Sequence, residues 1–79
     1  MNRIELLTQL AEIFETRADQ LPDEAGPNQI PGWDSMAALN VIFLLEGAGA
    51  GSIALEETLT LKTIGSILNF AKERGIVID

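Results

Sequence analysis

From Asn2 to about Thr16 apolar residues return at helical spacing, with Ile4, Leu7, Ala11 and Phe14 in one row, widened by Leu6, Leu10 and Ile13. This pattern predicts a helix with a broad buried face. Asn2, followed three positions on by Glu5, has the form of a capping box at its start, with Asn in place of the usual Ser or Thr. A second helix is predicted from Ser35 to about Glu46. Met36, Leu39, Ile42 and Phe43 mark one side of it, and Val41, Leu44 and Leu45 make it apolar nearly all round. Such a helix is either deeply buried or shares its apolar surface with a partner. The last helix is signalled by Thr63 as N-cap, by Ile64, Ile67, Leu68 and Ala71 with Phe70, and by Gly75 as its end. Lys72 and Arg74 complement its C-terminal dipole.

The segments between these helices differ in kind. Arg17 to Asp34 holds all three prolines and mostly polar residues, with Leu21, Ile30 and Trp33 as its sizeable apolar groups. A connection of that length needs a reason in so small a domain, and a linker has little use for Ile and Trp, so these three are expected to pin the loop to the bundle. Gly47 to Ser52 is glycine-rich but lacks the Gly-Lys-Ser/Thr ending of a phosphate-binding P-loop, and reads as a flexible connector. Glu56-Glu57-Thr58-Leu59 has room for about one turn of helix, with Leu55, Leu59 and Leu61 expected to plug the end of the bundle. The C-terminal Ile76-Val77-Ile78-Asp79 is a hydrophobic tail with no derivable placement. With no lasting β-alternation and no internal repeat, the chain reads as a single all-α domain over residues 1–79. The expected fold is a small four-helix bundle with three longer helices, a short third helix and a long first loop.

Composition narrows the chemistry. The 79 residues include no cysteine and no histidine, which removes disulfides, thiolate nucleophiles, imidazole bases and the usual zinc ligands. A serine nucleophile beside Asp34 would lack an activating base, so no enzymatic activity is expected. Twelve acidic against five basic residues give a formal charge of −7, which disfavours nucleic acid and anionic membranes and favours proteins with basic patches. The longest apolar run, Val41 to Leu45, is too short to span a bilayer, so no membrane insertion is expected. The first residues turn acidic where a signal peptide would turn hydrophobic, which points to the cytoplasm, and a monomer is expected.

The remaining candidate lies at the start of the second helix, in Pro31-Gly32-Trp33-Asp34-Ser35-Met36. Pro-Gly is a turn signal, and Asp and Ser are favoured caps. A hydroxyl on Ser35 would sit where unpaired backbone N–H groups and the helix dipole favour an anion; alternatively, Asp34 or Ser35 is simply an N-cap contributing about 1 kcal/mol. The segment resembles the acyl carrier protein family, whose signature is Asp-Ser-Leu at the start of the second helix. Here it stands as Asp34-Ser35-Met36, preceded by Gly32-Trp33 as in many stand-alone carriers, and Met for Leu is a swap of similar volume. The resemblance spans nearly the whole chain in helix order, loop lengths and motif position, including the short third helix with a glutamate pair at Glu56 and Glu57.

What the resemblance implies is a covalent 4′-phosphopantetheine arm on Ser35, a phosphoprotein that holds acyl or aminoacyl intermediates as thioesters. Asp34 would be part of what the phosphopantetheinyl transferase reads. Met36, Leu39, Asn40, Phe43, Glu56 and Glu57 would meet partners: an acyl- or aminoacyl-loading ligase and downstream transferases or synthases. The chain departs from carriers of fatty acid synthesis, which commonly hold acidic residues where Ala37, Asn40 and Gly47 stand here. That departure implies a dedicated biosynthetic pathway with a more apolar docking face. The competing expectation is an unmodified helical protein–protein interaction module that uses the apolar second helix.

Overall fold

The computed structural model describes residues 1–77. The helices are α1 (Arg3–Ile13), α2 (Ser35–Leu45), the single turn α3 (Leu55–Thr58) and α4 (Ile64–Glu73), and no strand occurs among the described residues. The all-α expectation with three longer helices, a short third one and a long first loop holds at this level.

The helix ends follow the capping chemistry of the sequence. The Asn2 side chain accepts the Glu5 N–H at 2.8 Å, and the Glu5 carboxylate accepts the Asn2 N–H at 3.1 Å, which closes the capping box. Thr63 and Ser66 form the same reciprocal pair at the start of α4, at 3.1 and 2.9 Å. At the other end Gly75 takes a left-handed φ of 74°, and Ile76 N–H reaches back to the Ala71 carbonyl at 2.9 Å. α1 ends with the same geometry on a less suited residue: Glu15 has φ 54°, and Thr16 N–H reaches the Ala11 carbonyl at 2.9 Å.

Leu6, Leu10, Ala11 and Phe14 of the first helical segment meet Ala37, Val41 and Leu45 of α2 and Ile64, Ile67, Leu68 and Ala71 of α4 in one core. Ile4, expected on the buried row of α1, is exposed instead. The buried stripe runs through Leu6, Leu10 and Phe14, with Leu7 half-buried beside it, and leaves Ile4 outside. The tail contributes too, since Ile76 and Val77 are buried; Ile78 and Asp79 lie outside the described residues.

The long first loop is pinned as its apolar residues foretell. Leu21, Ile30 and Trp33 are all buried, joined by Ala25, and Trp33 stacks on Phe14 with ring centroids 4.7 Å apart. Its carbonyls serve α4: Ile64 N–H donates to Ala25 at 2.9 Å and Gly65 N–H to Asp23 at 2.8 Å, so loop backbone satisfies N–H groups at the helix start. Gly32 lets the loop cross the end of α1, because a Cβ there would lie 1.9 Å from the Phe14 carbonyl oxygen. One short 3₁₀ turn, Ala18–Gln20, breaks a stretch that the sequence left without structure.

Two expectations fail in the second half. The glycine run is not wholly without structure: α2 continues into a wide, π-type turn over Glu46–Ala50, in which buried Ala50 is flanked by Gly49 and Gly51 with φ values of 120° and 75°. Leu55 and Leu59 do not plug the bundle, being 75% and 64% exposed, and Leu61 is only half-buried. A single turn of helix after a glycine-rich bend cannot bury both its faces against one neighbour, and α3 buries no side chain at all.

Candidate functional site

The start of α2 separates two roles that the sequence left open. Asp34 has extended backbone and is the N-cap, its carboxylate accepting the Ala37 N–H at 2.8 Å. Ser35 is therefore the first helical residue, exposed, with its hydroxyl in no hydrogen bond. The cap is Asp34, and Ser35 is left with a free oxygen at the positive end of an eleven-residue helix.

Trp33, buried just before the cap, holds this turn to the end of α1 by its stack on Phe14, and its backbone N–H closes the loop locally by donating to the Ile30 carbonyl at 3.0 Å. Beside Ser35 opens a cavity of about 530 Å³ between α2 and the α3 segment. Trp33, Leu39 and Ile42 form one side, and Ile53, Leu55 and Leu59 the other. Its lining is predominantly hydrocarbon, with Ser35 and Thr58 as its polar residues, the composition of a site for an apolar ligand.

α2 divides into three sectors at 100° per residue. Ala37, Val41 and Leu45 are buried in the core, Ala38 and Ile42 turn to the cavity with Leu39 at its rim, and Met36, Asn40 and Phe43 face solvent. Met36 and Phe43 are 66% and 59% exposed, a large apolar display for a chain of this size. From Ser35 to Leu45 the helix carries no charge, and the nearest carboxylates are Asp34 and Glu46 at its two ends. The expected grouping of Met36, Leu39, Ile42 and Phe43 on one side thus splits into a solvent row and a cavity row.

The glutamate pair also splits. Glu56 is exposed, whereas Glu57 is half-buried, ion-paired with Arg74 and accepting the Ala54 N–H at 3.1 Å. Of the residues singled out in the sequence, Ser35 and Leu39 meet at the cavity. Met36, Asn40 and Phe43 share the neighbouring face, and Glu57 faces inward to α4. Trp33, Ile53, Leu55 and Leu59 complete the cavity. Their contribution had no short-range signal beyond apolar character, because it depends on how the glycine-rich bend folds α3 back over α2.

Among the described residues no cluster of three or more His, Cys, Asp or Glu side chains could hold a metal ion. No helix there is long and apolar enough to cross a membrane. No family model, curated protein or solved structure matches the chain.

Proposed function

We propose that this protein is an acyl-carrier-like protein, modified on Ser35 with a 4′-phosphopantetheine arm and serving a dedicated biosynthetic pathway. The observation that carries the reading is the free, exposed Ser35 hydroxyl beside an apolar cavity while Asp34 alone performs the capping. A serine needed only to start the helix would be using its oxygen on the first-turn N–H groups.

The residues present fit such a group. The Ser35 oxygen is accessible to a transferase, and the first turn of α2 offers backbone N–H groups and the helix dipole to a phosphodiester anion. Asp34 fixes the direction in which Ser35 leaves the helix and adds the negative charge that a basic transferase would recognise. The arm, when attached, supplies the thiol that this cysteine-free chain lacks, on which acyl or aminoacyl cargo travels as a thioester. Catalysis then belongs to the partners, namely the transferase, a loading ligase and downstream transferases or synthases. The uncharged face of Met36, Asn40 and Phe43 suits partners that recognise shape and hydrocarbon more than charge.

The experiment is intact-protein mass spectrometry after incubation with coenzyme A and a broad-specificity phosphopantetheinyl transferase, with Ser35→Ala as control. The expected outcome is a gain of one phosphopantetheine in the parent and none in the variant. No gain in a folded parent, with a transferase active on another carrier, would shift the reading to the unmodified interaction module. Exposed Met36 and Phe43 are the specific observation in that module's favour.

A further inference from the structure

We propose that Arg74, at the far end of α4, is the positioning residue that sets the width of the cavity, by latching its outer wall to the bundle. The outer wall is the segment carrying Ile53, Leu55 and Leu59. Its hydrophobic hold is confined to its two ends, where half-buried Ile53 and Leu61 pack against the core, since α3 itself buries no side chain and Leu55 and Leu59 are exposed. Polar bonds add to this hold. Glu46 accepts the Ile53 N–H at 3.0 Å, which ties the segment's entry to the end of α2. The second tie is Arg74.

The Arg74 guanidinium makes three contacts at once. Nη1 donates to the Ala50 carbonyl at 2.9 Å, Nη2 pairs with Glu57, and the group lies 4.7 Å over the Phe70 ring. The Glu57 carboxylate uses its other oxygen for the Ala54 N–H, so the ion pair is continuous with the backbone at the start of α3. Arg74 therefore joins the last turn beyond α2, the whole of α3 and the surface of α4 through one planar fork. A lysine cannot reproduce this, because its ammonium is a single point of charge. Arg74 and Glu57 are each about two-thirds shielded, so water competes poorly for the pair.

With the latch closed, Leu55 and Leu59 stand against Leu39 and Ile42 at a fixed spacing. With it open, the glycines at positions 49 and 51 let the wall swing. Arg74 would thus decide whether only slender apolar groups enter the cavity or wide ones as well. The inference concerns the unmodified chain and does not depend on Ser35 carrying an arm.

The test uses unmodified protein, with Arg74→Met, Arg74→Lys and Glu57→Gln beside the parent. Amide hydrogen exchange is followed along the chain, and binding is measured for a slender probe, decanol, and a wide one, pyrene. In Arg74→Met, exchange over residues 53–61 is expected to accelerate about tenfold, the effect of losing bonds to a charged group, with α1 and α4 unchanged. The pyrene-to-decanol affinity ratio rises severalfold. Glu57→Gln moves both readouts in the same direction, and Arg74→Lys falls between parent and Arg74→Met. Unchanged exchange over residues 53–61, acceleration spread evenly over the whole chain, or a constant probe ratio would overturn the proposal. Each of these results leaves the Ser35 modification experiment unaffected, and a failed modification leaves the latch standing.

Discussion

The two long connections of this protein differ in how much regular structure they hold and are secured by different means. Residues 14–34 run between α1 and α2 with a single 3₁₀ turn, yet they sink Leu21, Ala25, Ile30 and Trp33 into the core and lend two carbonyls to the start of α4. Residues 46–62 contain a wide turn and a helical turn, yet they bury only Ala50 and display Leu55 and Leu59. The first connection is held by hydrocarbon and by backbone contact; the second by half-buried Ala48, Ile53 and Leu61 at its edges and by three charged side chains, Glu46, Glu57 and Arg74. Helical content is therefore a poor guide to which segment is fixed. The irregular loop is part of the core, and the more regular one is the adjustable wall of a cavity. For a carrier this division is useful, because Ser35 must be presented from a rigid turn while the cavity beside it admits and releases a guest.

The sharpest way to break the contrast is at the crossing of the first loop. A Cβ on Gly32 would fall 1.9 Å from the Phe14 carbonyl oxygen and 2.7 Å from its carbon, both backbone atoms with no side-chain freedom to yield. Gly32→Ala is expected to cost about 3 kcal/mol or more, at the upper end for overpacking, because loop and helix must part. Urea denaturation checks it. A cost under about 1 kcal/mol would show that the loop can lift from α1 without loss, and the two connections would then be alike.

Trp33→Ala is expected to be of comparable size. Trp33 is buried and stacked on Phe14, and its removal is expected to cost about 3–5 kcal/mol, as for other large aromatic truncations. Leu59→Ala, an apolar truncation in the other connection, is expected to cost under about 0.5 kcal/mol, because the side chain is already in solvent. The paired measurement sharpens the comparison, since both residues line the same cavity from opposite sides. Equal costs would mean that the α3 wall is as firmly packed as the loop.

Much of this was legible in the sequence, and what was not has identifiable causes. Capping residues act over three or four positions, so Asn2 with Glu5, Thr63 and Gly75 announce helix ends that the structure reproduces. Leu21, Ile30 and Trp33 stood out as anchors because nothing else apolar of their size lies between Arg17 and Asp34. The facing of α2 could not be read, because a helix apolar nearly all round has no polar side to exclude from the core. The choice fell on Ala37, Val41 and Leu45, where small and branched side chains allow close approach to α1 and α4. Arg74 was legible only as a cation near a helix C-terminus. Its partners lie 17 and 24 residues away in sequence, and no local pattern encodes a contact of that range. At Ser35 the sequence supplied two candidate caps, and only the backbone geometry of Asp34 assigns the role to one of them.

The smallest expected effect lies in the second connection and has the opposite sign. Gly47 sits in the helical turn that follows α2, and a Cβ there would meet nothing within 4 Å. Its backbone is on the ordinary side of the map, unlike Gly49 at φ 120°. Gly47→Ala should therefore stabilise the protein by about 0.5–1 kcal/mol, through a lower entropy of the unfolded chain and a better helix former in the folded one. Thermal unfolding of parent and variant reads the sign directly. The same substitution that should break the first connection at Gly32 is thus expected to help in the second. The reason is spatial: one glycine touches a neighbouring backbone and the other faces open solvent. A Gly47→Ala variant that loses stability would place that turn under the same tight packing as the first loop, and the distinction between a fixed connection and an adjustable one would fail.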